Sequence, residues 1–227
     1  MFFASLHYFP LTLPFILAFF FLVALVVALI EIGVLQYASV KMGVNRRFVF
    51  GVLLFSLLGS YVNVPIAEFP AQRVIVDKEM TYFGIQYVVP VVEELPRTVL
   101  ALNIGGAVIP TLLSCYLIAK KGMYGRTLLG VAIVAAVVHS LAHPIAGMGI
   151  AVPIFIPPVV AAVTALLLAR QSAPSLAYIC GSLGTLIGAD LLNLDIIRES
   201  GAPIASIGGA GTFDSIFMTG LLAVLLS

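Results

Sequence analysis

The chain has 227 residues, 62% of them hydrophobic and 9% charged, with a mean hydropathy of +1.18 and a formal net charge of +1. Soluble domains carry roughly 45–50% apolar and about 25% charged residues, so this composition excludes a water-soluble fold and predicts a multi-pass integral protein of the cell membrane, in contact with lipid. The near-neutral charge excludes nucleic acid as a partner, which calls for a basic face, and the two cysteines, Cys115 and Cys180, give neither a disulfide framework nor a metal motif.

A membrane span needs about 20 mostly apolar residues. By that measure the sequence predicts an all-α protein of about seven transmembrane helices, forming one polytopic domain over 1–227. The first span, 11–38, lacks the basic leader and the small-residue cleavage site of a signal peptide, so it is expected to remain as a span. The second is 48–66. The connection 67–97 carries Pro70, Pro90 and Pro96 with aromatic and β-branched residues, and reads as an extended or interfacial outer-side loop.

The third span is 98–119 and the fourth 127–143, ending in Val138-His139-Ser140-Leu141-Ala142-His143-Pro144. Histidines four apart share a helix face, a spacing that can chelate zinc, and His139 and His143 are candidate metal ligands on that ground. The fifth span, 152–169, holds Pro153, Pro157 and Pro158, so its first half is not expected to be regular helix. The sixth, 176–194, carries Gly184 and Gly188 at small-xxx-small spacing, which permits close approach of a neighbour, expected to be span seven or span two. The seventh is 207–226.

Basic residues set the orientation. Lys41, Arg46, Arg47, Lys120, Lys121, Arg126 and Arg170 fall on one side of these spans, against Arg73, Lys78, Arg97 and Arg198 on the other. The positive-inside rule then places the N-terminus outside and the C-terminus in the cytoplasm. With that topology nine of the ten acidic residues, all but Glu31, lie in or near the outer half. A negative outer mouth raises the local cation concentration.

Two short echoes run through the chain. Asn103-Ile104-Gly105-Gly106-Ala107 matches Ser206-Ile207-Gly208-Gly209-Ala210, and Leu58-Gly59-Ser60-Tyr61-Val62-Asn63 parallels Ile187-Gly188-Ala189-Asp190-Leu191-Leu192-Asn193 with one residue inserted. Their common order predicts a degenerate duplication of a helix-loop-helix unit, 48–119 and 176–227, whose copies superpose in the same membrane orientation.

The polar residues of the predicted spans converge. Asn63, Asn103, His139, His143, Asp190, Asn193 and Asp214 all fall in the outer half, and Asp190 and Asp214 sit at depths that agree within roughly one turn. A charged side chain at mid-membrane costs at least about 2.5–3.5 kcal/mol, so such residues face a partner or a wet cavity. Two carboxylates brought together in a low-dielectric site do not both ionise without a cation or donor between them. Asp190 and Asp214 are therefore expected to face each other as a catalytic or ion-binding pair. Asn63, Asn103 and Asn193 would be supporting polar contacts, and Gly105, Gly106, Gly208, Gly209 and Gly211 a backbone path. No cofactor motif stands in the sequence. The pair is expected to hold a cation or a proton.

The segments Gly188-Ala189-Asp190-Leu191-Leu192-Asn193, Ile207-Gly208-Gly209-Ala210-Gly211-Thr212-Phe213-Asp214 and Asn103-Ile104-Gly105-Gly106-Ala107-Val108-Ile109-Pro110 resemble an uncharacterised prokaryotic membrane-protein family, domain of unknown function 1614. That resemblance extends over most of the chain and implies no activity. A fainter resemblance is to the presenilin and signal-peptide-peptidase class, which place one aspartate on each of two adjacent spans. Here no Tyr precedes Asp190, two residues separate Gly211 from Asp214, and no Pro-Ala-Leu motif follows. The expected function is a carrier or channel-like transporter of a small ion or solute, because duplicated halves around a central path suit transport. The alternative is an intramembrane aspartyl protease acting on a membrane-spanning peptide, with Asp190 and Asp214 sharing a proton.

Overall fold

The computed structural model describes residues 13–43, 45–70, 72–82, 85–95, 97–145, 149–199, 203–209 and 215–227. The protein is mostly helical, but it is not all-α: three small sheets lie among the helices. Helix α1 spans Leu13–Lys41 and α2 Arg46–Gly59. Strand β1 (Asn63–Phe69) is followed by a long hairpin, β2 (Gln72–Tyr82) and β3 (Ile85–Leu95), and by β4 (Thr98–Asn103). The chain then runs through α3 (Ile109–Lys121), α4 (Tyr124–Leu141), the short pair β5 (His143–Ile145) and β6 (Gly149–Ala151), and α5 (Ile156–Leu168). It ends with α6 (Ala173–Thr185), α7 (Leu194–Glu199), β7 (Ile204–Ile207) and α8 (Ser215–Leu226).

Among the described residues three helical stretches are long and apolar enough to cross a membrane, Ile104–Lys121, Tyr124–Leu141 and Arg170–Ile196, while Arg47–Gly59, Ile156–Leu168 and Ile216–Leu226 are apolar but shorter. At 1.5 Å per residue, the 14 residues of α2 rise about 21 Å, short of the roughly 30 Å of a hydrocarbon core. The missing length lies in strands. Predicted spans two, three, four and seven each run into a strand where helix was expected: 63–66 belongs to β1, 98–103 to β4, 143 to β5 and 207 to β7. Backbone that leaves a helix where water is excluded must be paired within the protein, and these strands are each paired. β1 and β4 are antiparallel with a bulge between Pro65 and Ala67, and β4 and β7 are parallel, giving the order β1-β4-β7.

The loop expected at 67–97 is the end of β1 and then the β2–β3 hairpin, in continuous register from Gln72↔Leu95 to Tyr82↔Ile85. Its Pro90 has no ladder to break on its outer edge, since the sheet has two strands only. Other prolines start helices, as in α3, α5 and α6. Pro157 and Pro158 lie in the first turn of α5, where a missing N–H costs nothing, so residues 152–155 alone are irregular.

Helix α6 is the centre of the molecule. Of the most apolar 18-residue window within Arg170–Ile196 72% is buried, against 28% of α4, so α6 is enclosed while α4 turns a face such as Leu128 outward. Tyr178 and Ile179 pack with Leu35, Leu53 and Leu117, and Leu176, Ala177 and Cys180 pack with Val134, Val138 and Ala161. Gly184 and Gly188 press against α4, not against span seven or span two: a Cβ on Gly184 would stand 2.6 Å from Val134 Cγ1, and one on Gly188 2.5 Å from Ala135 O. The contact with α8 is made by Gly181 and Gly220.

At one end of the bundle Lys41 Nζ donates to the carbonyls of Val224 (3.4 Å), Leu225 (3.1 Å) and Ser227 (2.8 Å). A cation there complements the C-terminal dipole of α8. Ser175 Oγ donates to Met42 O at 2.8 Å, tying the start of α6 to the same place.

Candidate functional site

At the other end the helices change pitch. Residues Ile104–Val108 and Leu186–Asp190 are π-turns, with i→i+5 hydrogen bonds, a form that recurs at functional sites. The first has a local cause: Pro110 has no N–H for Gly106 O, and its ring crowds that carbonyl, so the preceding turn widens. The second is held by Asn193, whose amide donates to Gly188 O (2.8 Å) and Ala189 O (2.9 Å), carbonyls that the change of pitch releases.

β7, which holds the start of the second echo, pairs in parallel with β4, which leads into the first, with Ala101 opposite Ser206 and Leu102 opposite Ile207. Around them runs a continuous line of polar contacts. Asn103 Nδ2 donates to Ser60 O (2.6 Å) and to Asn63 Oδ1 (3.0 Å), and Asn103 Oδ1 accepts from Gly106 N (2.7 Å), capping the helix that follows. Asn63 Oδ1 also accepts from Ser206 Oγ at 2.5 Å. Two residues on, Gly208 N donates to Asp190 Oδ2 at 2.7 Å. Ser56 Oγ completes the arrangement by donating to Gly105 O.

Glycine is required at two of these points. Gly105 lies so close to Ser56 and Ser60 that any Cβ would overlap their backbone, and Gly208 has φ +89 with Ala107 N only 2.6 Å from where a Cβ would stand. Gly209, with φ +75, closes the turn as its N–H reaches Ser206 O at 3.1 Å. The bare backbone thus lets Gly208 present its N–H to the carboxylate.

The structure therefore brings together Asn63, Asn103, Gly105, Gly106, Gly208 and Asp190. Asn193 has its amide committed to backbone and Asn103 to backbone and to Asn63, so they hold the site and are not open ligands. Asp214 and Gly211, the other half of the expected pair and of the glycine path, lie outside the described residues. His139 stands in the last turn of α4, exposed, whereas His143 lies in β5, because the helix ends at Leu141 and Ala142 is extended. The common helix face inferred from their spacing does not form. No group of three or more His, Cys, Asp or Glu side chains placed to hold a metal ion is found among the described residues. Ser60 and Ser206 join the site without having been singled out; their places inside the echoes were the available signal. Beside Asp190 an apolar cavity of about 320 Å³ opens between the two π-turns, lined by Leu102, Ala107, Leu186, Leu191 and Ile207 among others.

The fold and site define a mostly helical protein with helices fit to cross a membrane and a polar junction where they break. The chain belongs to the family described as protein of unknown function (DUF1614), whose profile matches residues 57–226. No curated protein and no solved structure matches the chain, and the likeness to intramembrane aspartyl proteases finds no counterpart in these comparisons.

Proposed function

We propose that the chain is a multi-pass protein of the cell membrane with about seven spans, N-terminus outside and C-terminus cytoplasmic, that moves a proton or small cation through a site containing Asp190 and Asp214. The observation that carries this reading is Asp190 itself. It stands on a π-turn of the most enclosed membrane helix, and among the described residues its carboxylate receives one backbone N–H and no basic side chain. A carboxylate so placed is costly unless a mobile cation or proton visits it.

Broken helices at that level support the same reading, since half-helices meeting at an ion site are a mark of secondary transporters. The internal duplication lends this reading no support, since β4 and β7 pair two residues out of the register of the echo, and Ile104–Val108 is a π-turn where Ile204–Ile207 is a strand. The test is flux in proteoliposomes holding the purified protein, followed with an internal pH dye and with radioactive sodium. Flux of either ion that disappears in Asp190→Asn and in Asp214→Asn, with both variants still folded, is the expected result. Cleavage of a membrane-spanning peptide by the same preparation, without flux, would replace transport by hydrolysis.

A further inference from the structure

Helix α6 carries a row of hydroxyls that the fold does not use. Tyr178, Ser182 and Thr185 are at most 1% exposed, yet among the described residues their hydroxyls have no well-formed hydrogen bond. Buried polar groups without partners are rare in folded proteins and call for an explanation, commonly an ordered water or ion.

Their placement supplies one. At about 100° per residue, Ser175, Tyr178, Ser182 and Thr185 fall within an arc of about 80° on α6. Were the helix to stay α, Asp190 would lie about 140° round from Thr185, outside that arc. The π-turn Leu186–Asp190, with about 4.4 residues per turn, brings it back inside. The arc faces α8, where a Cβ on Gly220 would strike Ser182 Oγ and stand 3.2 Å from the Tyr178 ring, and where Thr219 is also buried. From Ser175 to Asp190 the row rises roughly 20 Å, most of the hydrocarbon core, and it ends where Ser175 meets Met42 O next to Lys41.

We infer that this row is a proton path joining Asp190 to the Lys41 end of the bundle. The inference rests on the transport reading above and names its ion. A proton released from the Asp190 carboxyl is taken up by the Thr185 hydroxyl oxygen, which gives up its own proton to the next member, and so on through Ser182 and Tyr178 to Ser175, whose proton passes to bulk water at the Lys41 end while water at the opposite end reprotonates Asp190. Each O–H bond broken is matched by one formed. The axial steps are about 4.5–7 Å, longer than one hydrogen bond, so single water molecules relay between hydroxyls.

The experiment uses the full chain in proteoliposomes, with a potassium gradient and valinomycin to set a voltage and an internal pH dye to read proton flux. Ser182→Ala and Thr185→Val should each cut voltage-driven proton flux by at least about tenfold, and Thr185→Ser should keep it. Ser140→Ala, whose hydroxyl is exposed and bonded to Val137 O, should leave it unchanged. Monomer yield and melting temperature in detergent confirm that each variant folds. Flux within about twofold of the parent in both Ser182→Ala and Thr185→Val, with loss in Asp190→Asn, overturns the path. Absence of proton flux alongside Asp190-dependent sodium flux also overturns it but leaves the carrier reading standing, whereas absence of both removes the two together.

Discussion

Asn103 shows how completely one polar side chain can be committed in an apolar setting. Its amide hydrogens go to Ser60 O and Asn63 Oδ1, its oxygen takes the Gly106 N–H, and it is wholly buried. Asn103→Ala should cost about 2–4 kcal/mol, because it removes a helix cap and leaves a buried carbonyl and N–H unpaired; reversible unfolding in mixed micelles measures it. Asp190→Asn should behave in the opposite manner, since an amide oxygen still accepts from Gly208 N–H. Its stability should stay within about 1 kcal/mol of the parent while ion flux is lost; a loss of fold comparable to that of Asn103→Ala would assign Asp190 a structural role instead. Asp190, Asn63 and Asn103 were legible in the sequence because a carboxylate or amide inside an apolar run has few places to go. Ser60 and Ser206 were not, since Ser60 joins through its backbone carbonyl while its hydroxyl bonds Leu57 O, and Ser206 meets Asn63 only because strands remote in sequence come together.

Between elements, glycine placement decides which helices touch. Gly188→Ala should destabilise by about 1–3 kcal/mol, as its Cβ would be driven into Ala135 O, a backbone atom that cannot swing away. Gly51→Ala is the contrasting case. Nothing stands within 4 Å of a Cβ there, in the middle of α2, so the exchange should stabilise by up to about 1 kcal/mol through helix propensity alone. Paired unfolding measurements should show the two changes with opposite sign. The spacing of Gly184 and Gly188 announced a close contact but could not name α4 as the partner, because that depends on which helix brings Val134, Ala135 and Val138 to the same level. Strands were hidden for a similar reason. Thr98-Val99-Leu100-Ala101-Leu102-Asn103 is as hydrophobic as a helix start, and its partners lie far away in sequence, at Asn63–Phe69 and Ile204–Ile207. A hydropathy window measures burial and carries no record of pairing.

For the whole molecule, the proposed topology requires the helix ends that carry the basic residues to lie together. Lys41 ties the end of α1 to the end of α8, and Ser175 ties the start of α6 to Met42. A Cβ on Gly43 would stand 3.7 Å from Lys121 Nζ, which brings the end of α3 to the same place. The chain ends that the basic residues assign to one side are thus gathered at one end of the bundle, while the β2–β3 hairpin leaves from the far end of α2. The expected outcome is accordingly two-sided. In a background with Cys115 and Cys180 replaced by Ala, Val88→Cys on the exposed hairpin should react with a membrane-impermeant maleimide in intact cells. Gln171→Cys, exposed beside Arg170, should react only after the membrane is opened. The reverse pattern would invert the molecule and place the Asp190 site towards the cytoplasm. Labelling of both from outside would mean that an odd number of crossings does not separate residues 88 and 171, and the seven-span count would fall with it.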